Sequence, residues 1–166
     1  ALGAFEQALA LYRQAKNPEG EGYTLYSIGD VYYHQAKFTQ AIEFFQQALA
    51  IKKQIGDPYG EASSLNIIGF IYYNKAQYPK ALEYFQQALA IRKQLGDRSD
   101  EATSLNNIGF IYQSLREYPK ALEYSQQALA IKKQVGDRSG EATSLNNRGI
   151  TYYKLEQYAN AEKNLL

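Results

Sequence analysis

The chain has 166 residues, of which 45% are hydrophobic and 21% charged, a composition typical of a globular protein with one domain. Its formal charge of +1 predicts no nucleic-acid or anionic-membrane partner, and no apolar stretch is long enough to be read as a membrane span. The absence of Cys excludes disulfides, thiolate metal sites and Cys nucleophiles, and it leads us to expect a cytoplasmic protein.

The sequence repeats with a period of 40 residues. Residues 61–100 and 101–140 are identical at 29 of 40 positions without a gap. The same spacing recurs for glycines along the chain, at Gly29, Gly69, Gly109 and Gly149. The period predicts a single array over 1–166, cut from a longer one. Its parts are the second helix of a truncated repeat at 1–16, repeats at 20–56, 60–96 and 100–136, and a truncated repeat at 140–166.

Each period contains two helical patterns in chain order. Apolar residues of the first helix fall at i, i+3, i+4 and i+7, as at Leu65, Ile68, Gly69 and Tyr72. The second helix has a similar stripe, as at Ala81, Phe85, Ala88 and Leu89. Neither helix can bury its stripe alone, so stacked helix pairs must share one core. The pattern therefore predicts an all-α protein, an α-solenoid of stacked helix-turn-helix repeats.

Boundary residues support these helices. Asn17-Pro18 and Asp57-Pro58 place a capping side chain before a Pro that suits the first helical position. Pro79 and Pro119 suit the first turn of second helices. Left-handed residues are predicted to end the second helices at Gly56, Gly96 and Gly136.

These residues resemble the tetratricopeptide repeat. Its first-helix signature is matched by Leu105, Ile108, Gly109 and Tyr112, and its second-helix alanines by Ala121 and Ala128. Ser125 replaces the aromatic residue of the second helix, so we expect a smaller, looser contact there. The 40-residue period is longer than the common one of about 34 residues, and it is similar to kinesin light chains, Pins-type adaptors and bacterial arrays. The resemblance implies a right-handed superhelix whose first helices line a concave, peptide-binding groove.

The resemblance also implies which residues face that groove. They form a stripe one residue beyond the packing stripe, to which Asn107 and Asn147 are added as neighbours. The candidate peptide-binding residues are Tyr26, Asp30, Tyr33, Asn66, Phe70, Tyr73, Asn106, Asn107, Phe110, Gln113, Asn146, Asn147, Ile150 and Tyr153. An Asn side chain can pair with both the N–H and the C=O of an extended peptide. Two interpretations stay open: the Asn and Phe side chains contact a ligand, or they tie neighbouring repeats together.

Residues for catalysis and cofactors are missing. His34 is the only histidine and has no triad motif around it, and no phosphate-binding loop is present. Asp57, Asp97 and Asp137 are predicted helix caps, because each loop supplies one acid where a Ca²⁺ loop needs several. We expect no catalytic residue, no metal and no cofactor, and hence no enzyme.

The function predicted from the sequence is a non-catalytic scaffold that binds a protein or peptide segment in the groove. No nucleic-acid or membrane partner is expected. The alternative is a structural or self-associating array, natural or of designed, consensus-like sequence, without a dedicated ligand. This alternative rests on the exposed apolar ends that we expect at Leu2, Phe5, Leu9, Leu165 and Leu166. Solenoids normally have polar caps at their ends, and uncapped ends could associate.

Overall fold

A computed structural model of the protein describes residues 2–163, and the side chains of residues 2–156. Within this range it contains eight α-helices and no strand, which confirms the predicted all-α class. The helices are α1 (Leu2–Gln14), α2 (Pro18–His34), α3 (Phe38–Gln54), α4 (Pro58–Asn74), α5 (Tyr78–Leu95), α6 (Arg98–Ser114), α7 (Tyr118–Gln134) and α8 (Arg138–Lys163).

The chain divides into two compact units, one ending at Ile91 and the other beginning at Arg92. In the first unit α2 packs against α1 and α3, α3 packs against α4, and aromatic pairs join α4 to α5. In the second unit α6, α7 and α8 pack in sequence, and α6 also contacts α8. Consecutive helices therefore form the predicted helix-turn-helix pairs, and in the second unit the first helices of successive pairs are neighbours.

The predicted packing stripes form the core. Leu25, Leu65 and Leu105 are each 1% exposed. A Cβ added at Gly69 would lie 2.9 Å from the Phe85 ring, so the glycine is what lets the ring sit against α4.

In the next pair, α6 and α7, Ser125 stands where Phe85 stands in α5, and the glycine of the first helix is still in contact with the second helix. Ser125 is buried, and its hydroxyl donates to the Leu122 carbonyl at 3.0 Å. With no ring in the way, the backbone of α7 faces Gly109 directly, and an added Cβ would lie 3.3 Å from the Ala121 carbonyl oxygen. The looser contact expected from the sequence is thus replaced by backbone-to-backbone packing.

The turns between pairs follow the prediction. Gly56, Gly96 and Gly136 have φ of +68°, +69° and +71°. Asp57 accepts a hydrogen bond from the Gly60 N–H at 2.9 Å, and Lys52 Nζ donates to it at 2.8 Å. The Lys52 hydrogen bond, followed by that of Gly60, lowers the pKa of Asp57. The turns within pairs also use left-handed residues, but these are not glycines: Ala36, Ala76 and Arg116 have φ of 56°, 54° and 62°.

The last helix differs from the other first helices. α2, α4 and α6 each have 17 residues, whereas α8 runs for 26, from Arg138 to Lys163. Of the apolar ends predicted to be exposed, Leu165 and Leu166 lie outside the described residues. The prediction is wrong for Leu9, which is 8% exposed, and Leu2 and Phe5 are half-buried, because all three belong to or pack on the core cluster that α1 shares with α2 and α3. None of the described helices is long and apolar enough to cross a membrane.

Candidate binding face of the first helices

The predicted residues of α2 are largely engaged within the first unit. Tyr26 packs edge-to-face on Phe45 with ring centroids 5.0 Å apart. Burial raises the pKa of Tyr26, and the charge of Asp30 raises it further. The Tyr33 hydroxyl accepts a hydrogen bond from Asn74 of α4 at 3.4 Å. These two aromatic side chains thus help to hold α2 against α3 and α4.

The predicted residues of α4 are half-buried. Phe70 packs edge-to-face on Phe85 at 5.1 Å, and Tyr73 lies against Tyr78 at 5.7 Å. Asn66 is also half-buried. On this helix the aromatic candidates take part in packing between α4 and α5 while keeping one side towards solvent.

In the second unit two of the predicted amides tie α6 to α8. Asn106 Nδ2 donates to Ser144 Oγ at 2.9 Å, and Gln113 Nε2 donates to Thr151 Oγ1 at 3.0 Å. Both amide side chains are buried, at 8% and 6% exposure. Lys154 Nζ also donates to Gln113 Oε1, at 3.3 Å. We call Asn106 and Gln113 the clamp residues. Asn106 thus has the interhelix contact that the sequence left open for the Asn side chains, and Gln113 adds a second one.

The hydroxyl partners fix the direction of these bonds. Ser144 donates its own proton to the Gly140 carbonyl at 2.9 Å, so its oxygen is left to accept from the Asn106 amide. Thr151 does the same, donating to the Asn147 carbonyl at 2.8 Å. The Oδ1 of Asn106 is buried and has no hydrogen-bond partner among the described residues. The clamp is therefore directional, from an amide of α6 to a hydroxyl of α8.

An open pocket of about 370 Å³ lies beside the clamp, between α6, α8 and the end of α7. Its lining residues are Thr103, Asn106, Asn107, Phe110, Lys132, Asp137, Ser139, Gly140, Thr143 and Asn147. Phe110 is 40% exposed there, and Asn107 and Asn147 are half-buried. The structure thus brings together four of the predicted residues in one pocket. Of the α8 candidates outside the pocket, Asn146, Ile150 and Tyr153 are exposed.

The one cation that lines this pocket is neutralised. Lys132 is 5% exposed and donates to Asp137 Oδ2 at 2.8 Å, to the Ser99 carbonyl at 3.1 Å and to the Ser99 hydroxyl at 3.2 Å. The Lys132 hydrogen bond, followed by that from the Gly140 N–H, lowers the pKa of Asp137. The pocket therefore presents hydroxyls, carboxamides and one aromatic ring, with no unbalanced charge among its lining residues.

The stripe facing the pocket lies about one residue away from the predicted one. Thr103, Asn107 and Phe110 are spaced i, i+4 and i+7 on α6, and Thr143 and Asn147 repeat the pattern on α8. Thr103, Thr143, Ser139 and Gly140 were missed from the sequence. The sequence contains a pattern that accompanies the clamp bonds. Each clamp amide is followed 38 residues later by a Ser or Thr, and that residue is its hydrogen-bond partner on the next first helix.

A comparison with protein-family models assigns the sequence to a known family. The tetratricopeptide repeat family model matches residues 1–54, 60–134 and 100–166. The chain belongs to the tetratricopeptide repeat family, whose fold is the all-α solenoid of helix-turn-helix repeats and whose members are generally non-catalytic scaffolds. A comparison with curated protein sequences gave no match.

Solved structures share the fold at low identity. BtubC (BKLC) from P. vanneervenii is 22% identical with a TM-score of 0.76, and the match covers 97% of this chain and 70% of that one. A Podosopora anserina protein described as a kinesin light chain with nearly identical TPR-like repeats is 17% identical, with 99% and 82% coverage and a TM-score of 0.76. A Rap protein complexed with competence and sporulation factor is 22% identical with a TM-score of 0.72, and the match covers 98% of this chain but 47% of the Rap chain.

Proposed function

We propose that the chain is a non-catalytic scaffold that binds an extended segment of a partner protein along its first helices. The observation that carries this proposal is the open pocket between α6 and α8, where the Phe110 ring lies among the carboxamides of Asn107 and Asn147. A carboxamide offers both a donor and an acceptor, which suits the main chain of an extended segment. The Rap protein above is complexed with a partner factor, which supports this kind of role.

The chemistry of the pocket favours an uncharged segment with one apolar side chain. Covering the exposed part of Phe110 would contribute up to about 1.5–3 kcal/mol, and each hydrogen bond to Asn107 or Asn147 about 0.5–1.5 kcal/mol. After the costs of association, contacts of this size over several repeats support binding in the micromolar range, about −8 kcal/mol. Because Lys132 is already paired with Asp137, an acidic segment would gain little from it.

The remaining candidates extend this face and set its geometry. In the proposal Asn106 and Gln113 act indirectly, by holding α6 at a fixed spacing from α8. Ile150 and Tyr153 continue the exposed face of α8, and the predicted residues of α2 and α4 form the corresponding face in the first unit. A cytoplasmic location and the lack of nucleic-acid or membrane partners belong to the same proposal, supported by the absence of Cys and the charge of +1.

The test is a selection of binders from a random peptide library, followed by titration of the selected peptides. We expect Asn107→Ala with Asn147→Ala to weaken the selected peptides at least several-fold, because both substitutions remove main-chain partners and keep a good helix former. Gln126→Ala, on an exposed site of α7, is the matched control and should leave the affinity unchanged. Equal affinity in the double variant and the control would show that the pocket is not the binding site.

A structural array without a dedicated ligand is the second candidate. The two buried clamp bonds support it, because they join α6 to α8 within the chain. The two functions differ in one result: a structural array would enrich no peptide above a library background, whereas a scaffold would enrich peptides with a shared pattern.

A further inference from the structure

The two threonines of the pocket between α6 and α8 present hydrogen-bond acceptors to it. Thr103 Oγ1 donates to the Ser99 carbonyl at 3.1 Å, and Thr143 Oγ1 donates to the Ser139 carbonyl at 3.0 Å. Because a carbonyl oxygen can only accept, each hydroxyl proton is committed to the helix that carries the threonine. Both oxygens keep lone pairs, and both threonines line the pocket. A group that binds to either oxygen must therefore donate.

Asn106 adds a third acceptor to the pocket lining. Its Nδ2 donates across to Ser144 Oγ at 2.9 Å, and its Oδ1 is buried with no partner among the described residues. Leaving a buried acceptor unpaired is unfavourable. Because Asn106 lines the pocket, a donor held between α6 and α8 is the kind of group that this oxygen lacks.

Lys132 and Asp137 disfavour a cationic donor in this pocket. Lys132 Nζ donates to Asp137 Oδ2 at 2.8 Å and to Thr103 Oγ1 at 3.4 Å, and Asp137 Oδ1 accepts from the Gly140 N–H at 2.9 Å. The single carboxylate of the lining is thus engaged at both oxygens. A second ammonium or a guanidinium would meet the charge of Lys132 with no further carboxylate to balance it. The donor that fits is uncharged.

The pocket also has groups that can donate to a ligand. The carboxamides of Asn107 and Asn147 line it, and each combines a donor with an acceptor. A primary carboxamide on the ligand matches both kinds of group, since its NH2 can meet the hydroxyl oxygens while its carbonyl accepts from an Asn. A hydroxyl has one proton, and a carboxylate has none. The uncharged side chains that satisfy the pocket best are therefore Gln and Asn.

We infer that the pocket selects its partner segment by a Gln or Asn side chain inserted between α6 and α8. The inserted NH2 donates to Thr143 Oγ1, and the inserted carbonyl accepts from the amide of Asn147. Phe110, which is 40% exposed, takes the apolar side chain next to it. The site so defined rests on the scaffold function proposed above and names the side chain that the bound segment presents.

Peptide libraries with one fixed central residue test the chemistry of the site. The libraries share their random positions and carry Gln, Glu or Lys at the fixed position, and Gln and Glu have nearly the same shape. We expect the chain to enrich peptides from the Gln library. The best of them should bind about tenfold or more tightly than the same peptides with Glu or Lys at the fixed position, because Glu cannot donate and Lys meets a like charge.

A change in the protein tests the named acceptor. Thr143→Val removes the hydroxyl oxygen and keeps the branched shape and a similar helix propensity. The preference for Gln over Glu should fall by about 2–10-fold, the equivalent of one hydrogen bond. Thr39→Val, on an exposed site of α3, is the matched control and should keep the preference of the wild type. Helical circular dichroism should be the same for all three proteins.

The scaffold function and the carboxamide site fail in different ways. If no library yields a peptide above background, the scaffold function is wrong, and the carboxamide site with it. If peptides are enriched without a preference for Gln over Glu and Lys, the scaffold function stands and the carboxamide site is refuted. The same holds if Thr143→Val keeps the full preference of the wild type.

Discussion

A methyl group added at Gly69, on the core-facing side of α4, should lower the stability of the fold through its contact with the Phe85 ring. In Gly69→Ala the new Cβ would lie 2.9 Å from Phe85 Cε1 and 3.0 Å from Cδ1, whereas a relaxed carbon contact is about 3.5–4.0 Å. The Phe85 ring is 1% exposed and packs edge-to-face on Phe70, so a shift of the ring away from α4 would disturb its other core contacts. Overpacking of this kind costs about 1–3 kcal/mol, and the better helix propensity of Ala returns about 1 kcal/mol. We expect a net loss of roughly 0–2 kcal/mol.

The same substitution in α8 provides the internal comparison. Gly149 lies within a helix and has no atom within 4 Å of an added Cβ, so Gly149→Ala should stabilise the chain by about 1 kcal/mol. The propensity gain is common to both variants, and their difference of about 1–3 kcal/mol therefore reports the clash alone. Gly109→Ala should fall between them, since its Cβ would meet the Ala121 carbonyl at 3.3 Å.

Urea unfolding followed by circular dichroism measures these differences. Adding Phe85→Leu to Gly69→Ala removes the ring that the methyl meets, so the two substitutions together should cost less than the sum of the single changes. If Gly69→Ala were as stable as Gly149→Ala, or if the costs at Gly69 and Phe85 were additive, the close approach of α4 and α5 would not be what requires glycine.

Three further predictions concern the clamp, the caps and the turns. Ser144→Ala should cost about 1–3 kcal/mol of unfolding free energy by leaving the buried Asn106 amide without an acceptor, and adding Asn106→Leu should recover most of it. Asp137→Asn should destabilise the chain at neutral pH by removing the charge that pairs with buried Lys132. The pKa of Asp137 is lower in the folded state, so its contribution is present above the ordinary value of 3.8 and is lost as the pH falls through the folded value. Ala76→Gly should stabilise by roughly 0.5–1 kcal/mol, because φ is 54° at this residue.

Urea titrations check all three, and each has a result that would contradict it. For the clamp, an additive double variant would mean that Asn106 and Ser144 do not interact. For the cap, a stability difference between Asp137→Asn and wild type that stays constant from neutral to acidic pH would exclude the Lys132 pairing as its source. For the turn, the control is Ala90→Gly on an exposed position of helix α5, which should lose about 1 kcal/mol; equal losses at both positions would contradict the prediction.

The sequence predicted the features that are local and repeated. The caps at Asp57, the left-handed Gly56 and the packing stripe through Leu65 depend on neighbours within one or two helices, and the 40-residue period presents each of them several times. The left-handed conformation of Ala76 was not predictable from the residue type, because Ala rarely has a positive φ. The short turn between α4 and α5 imposes it. The length of α8 was not predictable either, because its sequence repeats the pattern of helices that end after 17 residues.

The candidate site was predictable only to within one helical position. Asn106 and Asn107 are adjacent in sequence and about 100° apart on α6, and neither lies on the packing stripe. Which one is buried depends on where α8 lies, and that is a tertiary contact. The deciding observation is the Ser144 hydroxyl opposite Asn106, which removes this amide from the solvent-facing surface and leaves Asn107 beside the pocket.

The difference between the Asn106 position and the Asn107 position bears on which partner segment each repeat could bind. At the clamp position the four first helices have Tyr26, Asn66, Asn106 and Asn146, and one position further they have Ser27, Ile67, Asn107 and Asn147. The second position is the one that lines the pocket in the second unit, and it differs in polarity between the units. Under the proposed function, each unit therefore offers a partner segment a different chemistry: a hydroxyl and an aliphatic side chain in the first, two carboxamides in the second. Exchanging Ile67 and Asn107 would then alter which segment binds, while the clamp bonds of Asn106 and Gln113 stay in place.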